Sequence, residues 1–238
     1  MKHVFKTEKE WLAARRKVIT ATEAASLFGL NPYASVNKML KNKVDPEDLS
    51  GNPFIWAGHI YEPGIVMKAN KLMPEHQFKQ IGGEGQDIEF YIHPEARLGA
   101  SPDALSEDGT ILLEAKSASE RLFESWEDGV PLHYEVQVRV QMACMGLKKA
   151  YIACVPRNAG FKKILKEVFE SRIKKVAIEK MWENVLTLSH DFDRMKILEV
   201  KHCPRREALI LAETNRLWQC IDDDEEFKVD KDAKEAMR

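Results

Sequence analysis

GASPDALSEDGTILLEAKS, residues 99–117, is the stretch of this sequence that decides the predicted fold. An Asp-Gly pair lies between its two apolar segments, which is a strong signal for a β-hairpin. Side chains alternate along a strand, so Glu114 and Lys116 point to the same face. The hairpin places Asp103 on the neighbouring strand. The sequence therefore predicts two carboxylates and one ammonium group converging on a single spot.

That convergence suits a divalent cation, because two adjacent carboxylates repel each other and a cation relieves the repulsion. Mg²⁺ prefers oxygen ligands and commonly binds through one or two carboxylates together with substrate phosphate. Lys116 would orient or help to deprotonate an attacking water and stabilise charge on the phosphate. The alternative is an exposed hairpin with ordinary surface charges. Against that alternative, Glu114 and Lys116 interrupt an apolar strand instead of flanking it.

Motifs elsewhere in the chain, taken in order, resemble a known nuclease family. Pro102-Asp103 followed by Glu114-Ala115-Lys116 resembles the PD-(D/E)XK nuclease signature. The pattern W-x3-R-x3-I-T-A-T-E begins at Trp11, and G-x3-E ends at Glu62. A glutamine, Gln137, follows the strand and opens an apolar helix. Together, over roughly residues 10–155, the motifs are similar to the lambda exonuclease type of viral recombination nuclease.

The resemblance implies an α/β fold with a PD-(D/E)XK restriction-endonuclease-like core, in which helices flank a mixed central sheet. It implies a metal-dependent 5′-to-3′ exonuclease on linear double-stranded DNA that leaves 3′ single-stranded overhangs for recombination by strand annealing. Mg²⁺ is the implied cofactor, with Mn²⁺ as a substitute. The implied partners are double-stranded DNA ends, a single-strand annealing protein and further copies of the chain in a ring trimer. The alternatives are a PD-(D/E)XK endonuclease or resolvase, and a non-catalytic DNA-end-binding recombination protein.

The family's catalytic residues match individual positions here. By resemblance, Asp103 and Glu114 ligate the metal, and the backbone carbonyl of Ala115 supplies a further oxygen. Glu62 completes the site directly or through water, although a carboxylate favoured by a helix dipole is the simpler reading of that residue. Lys116 positions the attacking water. Gln137 lies beside the metal centre, and Gln141, one turn further on, is the weaker match.

A second set of residues matches the family's pocket for the 5′-phosphate of the DNA end. By resemblance this pocket is formed by Arg15, Thr22 and Ser101. A helix N-terminus with free N–H groups is a natural phosphate site, and a guanidinium group can add a bidentate contact. Plain helix capping is the alternative role for Thr22. Arg16 and Lys17 are alternative phosphate contacts.

Composition limits the class of protein. The chain has 238 residues, 44% of them hydrophobic and 31% charged, which suits a globular protein with one sizeable domain. It has no apolar run of membrane-spanning length and no signal-peptide core. Its four scattered cysteines match neither a zinc site nor a disulfide framework. These features predict no membrane association and a cytoplasmic location in a bacterial or phage-infected cell.

Charge is unevenly distributed, although the net charge is only −2. Residues 1–43 carry nine Lys or Arg against three Glu, and residues 148–180 carry ten against three. Basic faces of this kind can steer a polyanion even when the whole chain is slightly acidic. Solvated helix faces are the alternative explanation for each run.

One nuclease domain is expected over residues 1–221, followed by an acidic, mobile tail at 222–238. Within it we expect N-terminal DNA-end-binding helices at 7–50, a catalytic core at 54–170 and C-terminal helices at 172–221.

Local signals predict individual elements. Capping boxes at Thr7 and Thr20 predict two helix starts. Pro63 restricts where the helix at 54–73 begins. Residues 77–83 and 86–92 are expected to pair as strands through a glycine-rich turn, and a strand is expected at 161–168.

Overall fold

The structure is a computed structural model that describes residues 1–49, 52–82, 87–157 and 189–238. The α-helices are α1 (Glu8–Arg16), α2 (Val36–Val44), α3 (Pro53–Leu72), α4 (Glu120–Glu124), α5 (Leu132–Met145), α6 (Ser189–Asp193), α7 (Pro204–Asp222) and α8 (Lys231–Met237). The strands are β1 (Lys2–Phe5), β2 (Ile19–Thr20), β3 (Lys79–Gln80), β4 (Ile88–Ile92), β5 (Leu98–Ala100), β6 (Ala104–Leu105), β7 (Ile111–Ser119), β8 (Lys149–Arg157) and β9 (Lys196–Lys201). Two 3-10 helices span Ala24–Phe28 and Ser125–Asp128.

The strands form two mixed sheets flanked by helices, which confirms the predicted fold class. The larger sheet has the order β3-β6-β7-β8-β9, and the smaller has the order β1-β4-β5-β2. Strands β7 and β8 are parallel and pair over nine residues each. The antiparallel β6–β7 pair is the hairpin that the Asp-Gly turn predicts. The larger sheet is the central one, and β7 lies in its middle.

The predicted hairpin between residues 77–83 and 86–92 is wrong. Strand β3 pairs with β6 in the larger sheet, whereas β4 pairs with β1 and β5 in the smaller sheet. Alternation of apolar side chains marks a strand but does not identify its neighbour. Here the N-terminal residues and the segment before Asp103 provide better partners than the adjacent strand does.

Alternation along β7 divides the core between the two faces of the larger sheet. Leu113 packs with Tyr61 and other residues of α3 on one face. Leu112 packs with Val138 and Met142 of α5 on the other. Because alternate residues share a face, the side chains of positions 114 and 116 emerge on the α5 side.

Helix α3 spans almost the predicted range of 54–73, and Pro63 does not restrict where it begins. Asn52 caps it by accepting a hydrogen bond from the Phe54 backbone N–H at 2.9 Å, and Pro53 occupies the first turn. Pro63 therefore lies inside the helix, where a proline normally costs a backbone hydrogen bond. Buried contacts of both halves of α3 with the core offset that cost. Glu62 consequently lies in the middle of a long helix and not near its N-terminus.

The two capping boxes have different outcomes. The box at Thr7 is present, and α1 begins at the next residue. Thr20 instead lies in β2, paired in parallel with Gly99. The Glu23 carboxylate does accept from the Thr20 backbone N–H at 2.8 Å, but a 3-10 helix follows instead of an α-helix. The expected α-helix N-terminus at this position is therefore not formed.

The acidic C-terminal segment is folded, so the expectation of a mobile tail is wrong. Phe227, Ala233 and Met237 are buried in the same core cluster as α5 and α7. Apolar residues spaced along α8 explain this packing, which the excess of acidic residues obscured. The strand expected at 161–168 and much of the helix pattern at 172–188 lie outside the described residues. No described helix is long and apolar enough to cross a membrane.

Candidate active site

Three segments bring acidic side chains together beside β7. Glu62 comes from the middle of α3, Asp103 immediately precedes β6, and Glu114 lies within β7. Hairpin pairing between Ala104 and Leu113 fixes the position of Asp103 relative to Glu114. The Asp103 carboxylate also accepts a hydrogen bond from the Ala115 backbone N–H at 2.7 Å. The carboxylate is thus held rigidly against the strand that carries the lysine.

Glu114 is the centre of the hydrogen-bond network and is only 1% exposed. Lys116 and Gln137 both donate to its Oε1 atom. Gln141 donates to its Oε2 atom at 2.6 Å. Both glutamines lie on α5, and residues four apart share one helix face. Sequence reasoning ranked Gln141 below Gln137, yet the four-residue spacing was a signal that both amides would reach the same carboxylate.

The pKa values reflect this crowding of carboxylates. Burial, and then the charges of Glu114 and Glu62, raise the pKa of Asp103 well above its usual range. Burial also raises the pKa of Glu62 to about 7, although a hydrogen bond from Gln80 at 2.7 Å opposes the shift. Two carboxyl groups in the site are therefore destabilised in their charged form.

Lys116 responds in the opposite direction. Burial opposes its charge, but the carboxylates of Glu114 and Asp103 outweigh that effect and raise its pKa. Its ammonium group is therefore charged at neutral pH and acts as a hydrogen-bond donor, not as a base.

The donor set fits a hard divalent cation. Glu62, Asp103 and Glu114 supply only oxygen atoms, and their mutual repulsion is what a cation would relieve. No group of three acidic, histidine or cysteine side chains within the described residues is already drawn together as a metal cage. The Glu114 oxygens accept hydrogen bonds from Lys116 and from two glutamine amides.

The raised pKa of Glu62 predicts a pH dependence of stability. A carboxyl group with a raised pKa in the folded state lowers stability as soon as pH exceeds its unfolded value, because the unfolded chain then releases a proton that the folded protein keeps. In EDTA, we therefore expect the free energy of unfolding on this account to be highest at and below pH 4.5, to fall by about 3 kcal/mol as pH rises to 7, and to level off above that. Thermal unfolding measured across this range checks the prediction. In the Glu62→Gln variant, most of this pH-dependent fall in the free energy of unfolding should be absent. An equal fall in the variant and in the wild-type protein would contradict the prediction.

Arg15, Trp11 and Ser101 form a second cluster near the carboxylates. The Arg15 guanidinium lies over the Trp11 ring, 4.5 Å from its centroid, and the Trp11 indole N–H donates to Ser101 Oγ at 3.1 Å. Ser101 lies two residues before Asp103, so this cluster and the carboxylates share one backbone segment.

Thr22 is exposed, and its hydroxyl lies 3.1 Å from that of Thr20, so no contact joins it to this cluster within the described residues. Lys43 was not singled out in the sequence. It donates to the Arg15 backbone carbonyl at 2.9 Å and to the Glu23 carboxylate at 2.6 Å. No local pattern could have indicated it, because the contact joins α2 to a segment 20 residues earlier.

Comparison with protein-family models gives a match over residues 10–148 to the YqaJ-like viral recombinase domain. The match covers more than half of the chain. The chain belongs to the YqaJ-like viral recombinase family. This confirms the resemblance to lambda exonuclease-like nucleases, and the matched region contains every residue of both clusters described above. No curated protein matches the chain significantly in sequence.

Solved structures of similar fold include two exonucleases. The first is an alkaline exonuclease (LHK-Exo) from Laribacter hongkongensis, with a TM-score of 0.62 and 19% identity, covering 91% of this chain and 93% of that one. The second is a phage-related exonuclease from Haemophilus somnus 129PT, with a TM-score of 0.51 and 10% identity, covering 87% and 96%. At these identities, the comparisons establish that this YqaJ-like chain shares their fold.

Proposed function

We propose that this YqaJ-like protein is a Mg²⁺-dependent exonuclease that degrades linear double-stranded DNA from 5′-phosphorylated ends and leaves 3′ single-stranded overhangs. The observation that carries the proposal is the convergence of Glu62, Asp103 and Glu114 with the charged Lys116. Family membership and the fold shared with two exonucleases support the reaction class. Mn²⁺ is expected to substitute for Mg²⁺, because both accept oxygen ligands.

The carboxylates of Asp103 and Glu114 would hold the cation, with the Ala115 carbonyl as a further oxygen and Glu62 acting directly or through water. When bound, the cation would neutralise these carboxylates and polarise the scissile phosphate. Asp103 keeps one oxygen for this role while the other accepts from the Ala115 N–H. Gln137 and Gln141 keep Glu114 oriented toward the site.

Lys116 would donate hydrogen bonds to the attacking water and to a phosphate oxygen on which charge develops. Its raised pKa supports a positioning and electrostatic role. Cleavage breaks the bond between phosphorus and the leaving oxygen, and water supplies the new oxygen on the phosphate.

Binding of the 5′-phosphate is assigned to Arg15, Thr22 and Ser101. Within the described residues, the Arg15 guanidinium makes no hydrogen bond, although it stacks on Trp11. Burial lowers the pKa of Arg15, and the charge of Glu23 opposes this shift. A guanidinium group that is partly desolvated and retains free donors favours an anionic ligand. Ser101 accepts from Trp11, so its own hydroxyl hydrogen is available to a phosphate oxygen.

The Arg15→Ala substitution is expected to abolish the preference for a 5′-phosphate. A hydrogen-bonded charge pair of this kind contributes about 1.5–3 kcal/mol, so digestion of phosphorylated ends should slow about 10- to 150-fold. Rates on 5′-hydroxyl ends should change little. Initial rates on both substrates test this, with Lys9→Ala, at an exposed cation of the same helix, as the control, and Arg16→Ala should leave the preference intact if Arg15 and not its alternative binds the phosphate. A preference that survives in Arg15→Ala would overturn the assignment.

Digestion of linear duplexes labelled separately at each strand end, with Mg²⁺, tests the direction of cleavage. Label should be released first from 5′ ends, while 3′ labels persist on long single strands. A covalently closed circle distinguishes the alternatives. An end-dependent exonuclease spares it, a PD-(D/E)XK endonuclease or resolvase cuts it, and a non-catalytic end-binding protein digests neither substrate.

A ring trimer, a single-strand annealing partner and a cytoplasmic location are further proposals that rest on the family resemblance. Sedimentation of the purified protein tests the trimer. Co-purification with the annealing protein from the same cells tests the partner.

A further inference from the structure

Tyr33 and Phe54 are conspicuous on the surface. Among the Phe, Tyr and Trp side chains that the structure describes, they are the only ones strongly exposed, at 63% and 66%. Large apolar side chains exposed close together often mark a binding surface. Neither ring is used by the carboxylate cluster or the 5′-phosphate cluster. Their surroundings indicate what covers them.

Packed aromatic rings connect Tyr33 to the active-site lysine. The Tyr33 ring meets His133 edge-on at 6.0 Å between centroids, and His133 lies 4.0 Å from Tyr134. The Lys116 Nζ atom lies 5.2 Å from the centre of the Tyr134 ring. Burial, followed by the charge of Lys116, lowers the pKa of His133 to about 4, so this ring is neutral at neutral pH. Tyr33 is thus the outermost ring of a row that begins at the proposed catalytic ammonium.

Phe54 approaches the same edge of the sheet from α3. The Arg157 guanidinium carbon lies 5.2 Å from the centre of the Phe54 ring, and its Nη1 atom is 3.5 Å from Ser117 Oγ. Arg157 ends β8, which is parallel to β7. The carboxyl ends of both strands therefore meet next to Lys116. Arg157 is also close enough to Tyr33 for direct electrostatic interaction.

We infer that Tyr33, Phe54 and Arg157 form a platform that binds unpaired nucleotides next to the scissile bond. The inference rests on the nuclease function proposed above and adds the conformation of the bound strand. Bases stack on aromatic faces regardless of sequence, and guanidinium groups bind backbone phosphates. Arg157 supplies a cationic group beside the exposed rings, and the Lys116 ammonium, which is paired with Glu114, lies at the inner end of the row. Exposed rings combined with cations favour a nucleic-acid strand as the ligand.

The platform would offset the cost of opening the duplex end. A backbone phosphate reaches the carboxylates more readily when its base has left the duplex, and unstacking a base costs a few kcal/mol. Stacking of the base on an exposed aromatic ring contributes a favourable free energy of similar size. Substitutions in the platform should therefore matter most when the end of the DNA is fully paired.

Binding of a 5′-phosphorylated, single-stranded oligothymidylate tests the inference, measured by fluorescence anisotropy in EDTA with the Asp103→Asn protein. We expect Tyr33→Leu to weaken binding about 5- to 100-fold, whereas Tyr33→Phe retains it, because stacking needs the ring and not the hydroxyl. Ile221→Ala, which alters a 40% exposed apolar residue at the end of α7, is the control and should bind normally. Equal affinity of the leucine variant, or equal loss in the phenylalanine variant, would overturn the platform.

Rates of removal of the first nucleotide give a second readout. Tyr33→Leu should slow digestion of a fully paired end more than that of a mismatched end, and an unchanged ratio would contradict the inference. If the leucine variant alters sedimentation but not oligonucleotide affinity, the surface is a subunit contact and the platform is wrong. These outcomes leave the nuclease proposal intact, because that proposal is tested separately by digestion of linear and circular DNA by the wild-type protein.

Discussion

The Asp103→Asn variant should lose metal-dependent nuclease activity and yet be more stable than the wild-type protein without metal. Loss of a carboxylate proposed to bind the metal should reduce the rate about 10³-fold, equivalent to about 4 kcal/mol of transition-state stabilisation. In EDTA at pH 8, removing one member of a repelling carboxylate cluster should stabilise the protein by about 1 kcal/mol, or about 2–4 °C in Tm. Asn retains the oxygen that accepts from the Ala115 N–H. Digestion assays and thermal unfolding in EDTA measure the two effects.

Asp108→Asn is the matched control for that experiment. Asp108 lies in the β6–β7 turn, where hydrogen bonds from Ser106 and Thr110 lower its pKa to about 2. Its charged form stabilises the fold, so this substitution should lower stability at neutral pH and leave cleavage unchanged. If Asp103→Asn raises stability and Asp108→Asn lowers it, the charge of Asp103 is the one that destabilises the folded protein. If Asp103→Asn is less stable than the wild-type protein, the proposed repulsion between the clustered carboxylates is wrong.

The Lys116→Met variant should lose both activity and stability. Removal of the donor that would stabilise the phosphate should slow cleavage about 10²- to 10³-fold. Removal of the ammonium also leaves the buried Glu114 without its counter-charge, which should cost about 3 kcal/mol near neutral pH. Methionine preserves the length of the side chain, so little of this cost would come from a cavity. Initial rates with Mg²⁺ and thermal unfolding in EDTA give the two values.

A metal titration separates the electrostatic cause from simple misfolding. Because a cation can replace the lost positive charge, Mg²⁺ should raise the Tm of Lys116→Met more than that of the wild-type protein. Lys79→Met, which breaks an exposed ion pair with Glu107, should change neither activity nor the response to Mg²⁺. Unimpaired digestion by Lys116→Met would show that the proposed site is not the catalytic one.

Local sequence patterns were sufficient to predict the residues that meet around β7. The Asp-Gly turn predicts the hairpin, and alternation puts Glu114 and Lys116 on one face. Glu62 required the family resemblance, because nothing local to it shows that a residue 41 positions before Asp103 would come near that side chain. The four-residue spacing puts Gln141 on the same face of α5 as Gln137, and the packing of α5 along β7 brings its amide to Glu114.

Errors in the predicted fold arose where tertiary contacts overrode local signals. Pro63 is expected to restrict where its helix begins, but the packing of α3 against the sheet carries the helix through it. Thr20 reads as a helix cap, but pairing with Gly99 draws it into a strand. The composition of residues 222–238 suggests disorder, although Phe227 and Met237 are spaced to reach the core. In each case the deciding partner is far away in the sequence.

The parallel pairing of β7 with β8 has a consequence for biosynthesis. Parallel strands require a crossover, and here α5 must form and dock before Ile111 can align with Lys149. Contacts of such separation form slowly, after local elements have already folded. A polypeptide still emerging from the ribosome without β8 would hold Glu114 and Lys116 in the β6–β7 hairpin only, with no strand on the other side of β7. Nascent chains should therefore lack nucleolytic capacity until that last parallel strand is synthesised, which would spare nearby nucleic acid from premature cutting.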